Sequence, residues 1–185
     1  MGMNPAAGVL KHQTMRFVKF ALIGILTLFV VLTALSLLFP SDLRVSRVIN
    51  VAASRQTTYA AISDFRSWPA WNAFVRQTDI THTTYSSPSG GKGAELRSDQ
   101  MVVTETDADS NGIALNWNLM GGKQFKGGFE LLTPNSDSLT IQWYFDFHFR
   151  WYPWEKMGAF VYDRKLGPAM EESLKGLKLF VENSR

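Results

Sequence analysis

Phe20 to Phe39 reads FALIGILTLFVVLTALSLLF, a run without charge in which Thr27, Thr33 and Ser36 are the polar members. At about 1.5 Å rise per residue, such a run makes a helix about 30 Å long, the thickness of a bilayer's hydrocarbon core. Pro40 ends it, because proline cannot extend the hydrogen-bond ladder. After Leu43 the pattern changes to a period of two: Val45, Ile49 and Val51 share one parity, as in a strand. Ser54 then stands where a helix N-cap belongs. Tyr59 and Ile62 follow at apolar three-residue spacing, predicting a short helix that ends near Asp64. Trp68 and Trp71 repeat that spacing, so a second short helix places both indoles on one face. Pro69 is tolerated there, since a first-turn residue needs no backbone donor.

Strand and turn signals fill the middle of the chain. Candidate strands lie around Ile80–Tyr85, Ala94–Ser98 and Gln100–Thr106, and three clearer ones follow. In the first of these, Ile113, Leu115, Trp117 and Leu119 share a parity; in the second, Phe125, Gly127, Phe129 and Leu131 do. In the third, Leu139, Ile141, Trp143, Phe145, Phe147 and Phe149 alternate with polar residues and Tyr144. SSPSGGKG, DADSNG and TPNSDS mark turns between them. The pattern predicts an antiparallel meander with one apolar and one polar face. From Glu155 to Glu182 the period returns to that of a helix, with Leu166, Met170, Leu174, Leu177 and Val181 on one stripe. Gly167-Pro168 is expected to kink or divide that helix.

Composition sharpens the division of the chain. Of 19 basic and 16 acidic residues, only Lys11, Arg16, Lys19 and Asp42 lie at or before position 42, so the net charge of +3 belongs mostly to the N-terminal part. A nearly neutral domain argues against a nucleic-acid surface, which needs clustered cations. The absence of cysteine excludes disulfides, thiolate chemistry and a lipid anchor on cysteine. The organisation expected is a short basic tail over 1–19, a transmembrane helix over 20–39, a linker over 40–43 and a folded domain over 44–185. A cleaved leader is the alternative to a retained anchor. Its apolar region runs to about 7–15 residues, shorter than the run seen here, and the cleavage candidate is Ala34-Leu35-Ser36. Arg44, Arg47 and Arg55 after the span nearly balance Lys11, Arg16 and Lys19 before it. Arg47 and Arg55 are read as parts of folded structure, which favours a cytoplasmic N-terminus and an exported domain. The linker reaches at most about 15 Å, which holds the domain at the membrane surface.

Strand, two short helices, six strands and a long terminal helix is an order that resembles the START-like helix-grip superfamily. The likeness is to the bacterial polyketide cyclase/dehydrase and lipid transport (SRPBCC) proteins. RVINVAASRQTTYAAISDFRSWPAWNAF near the start and LGPAMEESLKGLKLFVEN at the end carry the resemblance. The first closes on Asp64, Phe65, Trp68 and Trp71, and the second on Leu174, Leu177, Lys178 and Glu182, matching that family's motifs. GAELRSD departs from it, having Arg97 or a neighbour where relatives often carry tryptophan. The resemblance spans about residues 43 to 183. It implies an α+β fold in which a curved antiparallel sheet grips the C-terminal helix, with an apolar cavity between them whose end Trp68 and Trp71 cover.

On that reading a hydrophobic or amphipathic small molecule or a lipid is the expected partner. No cofactor, no metal and no nucleic acid are implied, and the location is a single-pass position in a bacterial inner membrane. The cavity-lining candidates are Trp68, Trp71, Trp117, Phe129, Trp143, Phe145, Phe149, Phe160, Leu166 and Met170. A plain packed core is the alternative for the strand aromatics among them. A cyclase or dehydratase would need an inward acid or base, for which Glu105, Asp99, His82 and Tyr144 are the nominees. A solvated face is the expectation for Glu105, Arg97 and Asp99, and a helix end for Asp64. A third reading is an interaction module of a membrane complex with a filled core. His12, His82 and His148 have no metal-ligand spacing. GGKQFKGG has a phosphate cradle's composition without its lysine-serine/threonine step into a helix, and reads as a turn and bulge. WYPWEKMGAF, joining the last strand to the last helix, is expected either to pack at a corner or to form a lip facing lipid.

Overall fold

A computed structural model describes residues 6–38, 40–78, 82–120, 122–135, 138–150 and 152–184. They form two units. One contains the chain up to Ser41 with Phe149–Met157; the other contains Asp42–His148 with Gly158–Arg185.

In the first unit, helix α1 runs Ala6–Leu37, so much of the segment expected as a tail is already helical. Val9 to Lys19 contains no helix breaker, and the apolar run that follows lets the helix continue. The helix stops at Leu37, shortly before Pro40, which cannot extend the hydrogen-bond ladder. Met15–Leu37 is long and apolar enough to cross a membrane. The Thr27 and Thr33 hydroxyls donate to the carbonyls of Ile23 and Phe29, each at 2.8 Å, which suits a helix surrounded by hydrocarbon. Phe149 differs from its expected place inside the last strand. The strand ends one residue earlier, and the Phe149 N–H donates to the Ser41 carbonyl at 2.8 Å.

The second unit is built on a curved, seven-stranded antiparallel sheet in the order β1-β7-β6-β5-β4-β3-β2. Its strands are β1 Asp42–Val51, β2 Thr84–Tyr85, β3 Glu95–Arg97, β4 Met101–Asp109, β5 Gly112–Leu119, β6 Lys123–Asn135 and β7 Ser138–His148. Ile80 and Thr81, expected in the second strand, lie outside the described residues. The parities read from the sequence define the two faces. One row across the inner face runs Val45, Phe145, Gly127, Leu115, Glu105. The matching outer row runs Arg44, Asp146, Lys126, Asn116, Thr104. A bulge between Glu105 and Asp107 shifts the register and adds bend to β4. On the outer face Tyr144 lies across Gly128, its register partner, covering backbone that has no side chain of its own.

Between β1 and β2 the chain makes α2 (Arg55–Ser63), a 3₁₀ turn, α3 (Trp68–Trp71) and α4 (Ala73–Arg76). Each has its cap. Ser54 accepts from the Thr57 N–H, Asp64 from Arg66 and Asn72 from Phe74, each at 3.0 Å. Asp64 therefore ends one helix and starts the next turn, the structural role expected of it.

Helix α5 (Pro153–Asn183) lays Met170, Leu174, Leu177 and Val181 against the core, with Leu166 half-buried. It is continuous through Gly167-Pro168, so the expected division into two helices does not occur. Arg47 spans the weak point: its guanidinium pairs with Asp163 and Glu171, both at 2.9 Å, one turn before and one turn after Gly167. The bare Gly167 backbone makes room for that guanidinium. Farther along, Lys178 donates to the Asn50 carbonyl at 3.0 Å, and Glu182 accepts from the Ala52 N–H at 2.8 Å.

Candidate functional site

The middle of the sheet's inner face carries a cluster of aromatic side chains among aliphatic ones. Trp68, Trp71 and Trp143 have 0% exposure and Trp117 has 1%. Trp68 stacks on Trp117 with centroids 5.8 Å apart, and Phe129 stacks on Trp143 at 4.9 Å. Phe145 meets Trp117 and Trp143 edge-on at 5.3 and 5.2 Å. This packing depends on Gly127. Its Cβ would lie 2.6 Å from Phe145 Cδ1, so glycine leaves the gap that the Phe145 ring fills. The chain thus brings Trp68, Trp71, Trp117, Phe129, Trp143 and Phe145 into one cluster. Met170 is fully buried on α5 and Leu166 half-buried, while Phe149 is buried in the first unit. Trp151 and the side chains of Trp154 and Phe160 lie outside what is described.

Phe74 is the member of the cluster that sequence reading missed. Its half-buried ring meets Trp117, Trp143 and Phe145 edge-on at 6.2, 5.5 and 6.0 Å. The signal was there in WNAF, three residues after Trp71, but a helix of four residues is too short to show a period. Phe65, also fully buried, packs edge-on to Trp68 at 4.8 Å.

Of the four acid–base nominees, Glu105 alone belongs to the inner face. His82 and Asp99 are exposed, and Tyr144 lies on the outer face under the Arg44 guanidinium, 4.2 Å from its ring centre. Glu105 corrects an expectation: it was assigned to a solvated face and has 0% exposure. The parity it shares with Met101 and Val103 carries it inward. One carboxylate oxygen accepts from the Gly91 N–H at 3.1 Å, while the other has no partner among the described residues. Its main chain holds the same loop, accepting from Gly93 at 2.7 Å and donating to Ala94 at 2.9 Å. Burial pushes the Glu105 carboxyl above its ordinary value of 4.5, and the Gly91 N–H offsets part of this. The folded chain therefore binds this proton more tightly than the unfolded one. The associated stability is complete below about pH 4.5 and is lost as pH rises through the folded value. Glu105→Gln is expected to flatten that dependence. In thermal melts from about pH 4 to about pH 8, the variant should gain on the parent as pH rises. Parallel curves would contradict the assignment.

Two open grooves lie on the opposite side of the sheet, lined chiefly by outward-parity residues such as Arg44, Ala114, Asn116, Tyr144 and Asp146. None of the ten candidates lines either one. His148 and His82 sit at the surface beside Asp42 and Asp99. Among the described residues no group of three metal-ligating side chains comes together.

The sequence profile of the family described as polyketide cyclase / dehydrase and lipid transport matches residues 42–182. The chain belongs to that family. No curated protein matches it in sequence. Solved structures share the polyketide cyclase/dehydrase fold at low identity. A START superfamily protein from Mycobacterium smegmatis is 18% identical with a TM-score of 0.52, over 77% of this chain and 99% of that one. A truncated norcoclaurine synthase from Thalictrum flavum is 13% identical with a TM-score of 0.54, over 76% and 94%. DynU16, from the dynemicin biosynthetic locus, is 15% identical with a TM-score of 0.55. The match takes in 80% of this chain but about half (49%) of that protein's length. These likenesses establish the helix-grip architecture of this family member, and function has to be argued from its own residues.

Proposed function

We propose that this chain binds a hydrophobic or amphipathic small molecule between the inner face of the sheet and α5, and that α1 anchors the domain to a membrane. The observation that carries the reading is the continuous aromatic cluster, from Trp68 and Trp71 through Trp117 and Phe145 to Trp143 and Phe129. Pockets for apolar ligands are lined in this way, with few polar groups, and binding would draw on about 25 cal/mol per Å² of apolar surface removed from water. Leu166 and Met170 on α5 complete the proposed lining. A cyclase or dehydratase would take its acid or base from Glu105, but that carboxylate is turned onto a backbone N–H rather than a tyrosine or histidine. Binding is therefore the reading favoured over catalysis.

The N-terminus is proposed to be cytoplasmic. Arg44 pairs with Asp146, Arg47 with Asp163 and Glu171, and Arg55 donates to Ser110, Leu131 and Thr133. All three belong to the fold, which leaves the orienting charge to Lys11, Arg16 and Lys19. The test is mass spectrometry of small molecules that remain with the full chain after purification in detergent. An apolar species retained by the parent and reduced severalfold in Gly127→Val, which fills the Phe145 gap, is expected. Equal retention by both would contradict the reading.

A further inference from the structure

The four buried indoles do not end alike. Trp68 Nε1 donates to the Ile62 carbonyl at 3.0 Å, and Trp71 Nε1 donates to the Ser67 hydroxyl at 3.2 Å. The two on the sheet, Trp117 Nε1 and Trp143 Nε1, are fully buried and have no acceptor among the described residues. Buried indole donors are ordinarily paired, because an unpaired one forfeits its bond to water without replacement. Other buried polar atoms lack partners here too, Glu105 Oε1 and Asn72 Nδ2 among them. What sets the two indoles apart is that they adjoin, with ring centres 6.3 Å apart, and that Phe145 and Phe74 each contact both. Of these two rings Phe145 is fully buried in the sheet, whereas Phe74, edge-on to Trp117, Trp143 and Phe145, is half-buried.

Phe74 stands on α4, a helix of four residues capped by Asn72; its neighbours Ala73 and Val75 are buried and its own ring is half-buried. Ala73 donates to the Ser173 hydroxyl at 2.8 Å, and Arg76 pairs with Glu172 on α5. Rotation of the Phe74 side chain would uncover two N–H donors set in an otherwise apolar wall.

We propose that Phe74 is a displaceable plug, and that the ligand replacing it carries a carbonyl or carboxylate oxygen that accepts from the indole N–H groups of Trp117 and Trp143. The ligand is then an apolar molecule with an acceptor oxygen, such as a long-chain acid or ketone, and not a plain hydrocarbon. This deepens the reading given under the proposed function and rests on it.

The experiment uses the full chain in lipid nanodiscs, labelled with ¹⁵N-tryptophan. The indole signals are assigned with Trp117→Phe and Trp143→Phe, and the two probes are dodecanoate and dodecane. Dodecanoate is expected to move both indole protons downfield, and dodecane to leave them in place. Each Trp→Phe change is expected to weaken dodecanoate binding about fivefold beyond its effect on dodecane, the worth of one hydrogen bond. Phe74→Ala is expected to tighten dodecanoate binding. If both probes perturb inner-face signals while the two indole protons stay fixed, the donor assignment is overturned and the apolar binding site stands. If neither probe perturbs the inner face, both fall. Unchanged affinity in Phe74→Ala overturns the plug.

Discussion

Trp68→Ala is expected to cost about 3–5 kcal/mol, the range for removing a large aromatic side chain from a packed core. That is a large part of the stability of an ordinary domain. Trp68 touches Phe65, Trp71, Trp117 and Phe129, so its loss opens the junction between the short helices and the sheet. Trp68→Phe separates the two contributions. It keeps an aromatic ring but drops the donor to the Ile62 carbonyl, and should cost about 1–3 kcal/mol for the oxygen left unpaired. Urea unfolding of the full chain, followed by near-ultraviolet circular dichroism, measures both. An alanine variant within about 1 kcal/mol of the parent, inside the ordinary spread for surface changes, would show that the indole is not the keystone described.

Gly176→Ala should destabilise, against the helix-propensity rule. An alanine inside a helix is normally favoured over glycine by about 1 kcal/mol. Here the added Cβ would lie 2.6 Å from the Trp71 carbonyl oxygen, a main-chain atom fixed by α3. Overpacking of this kind costs about 1–3 kcal/mol, so the net effect is a loss, larger still for Gly176→Val. A rise in melting temperature for the alanine variant would mean that α5 does not press on α3 as closely as the coordinates place it.

Much of this fold was legible because its elements are long and their periods clean. The parity of Ile113, Leu115 and Trp117 and that of Ile141, Trp143 and Phe145 predicted the buried sides of β5 and β7, and all six residues are buried. The stripe from Met170 to Val181 predicted the gripping side of α5 for the same reason. Ser54 and Asp64 were readable as caps because capping is local chemistry. What escaped notice depends on tertiary neighbours. Glu105 looks solvated beside Thr104 and Thr106, and only the glycine loop from Gly91 to Gly93 explains how a carboxylate is housed inside. Across Pro168, α5 is bridged by Arg47, more than a hundred positions away in sequence. Phe74 carries no period at all.

Four tryptophans shielded from water, two on α3 and two on the sheet, also give the protein a built-in optical gauge. Entry of water among them is expected to redden their emission, so such opening could be timed by fluorescence with no dye attached.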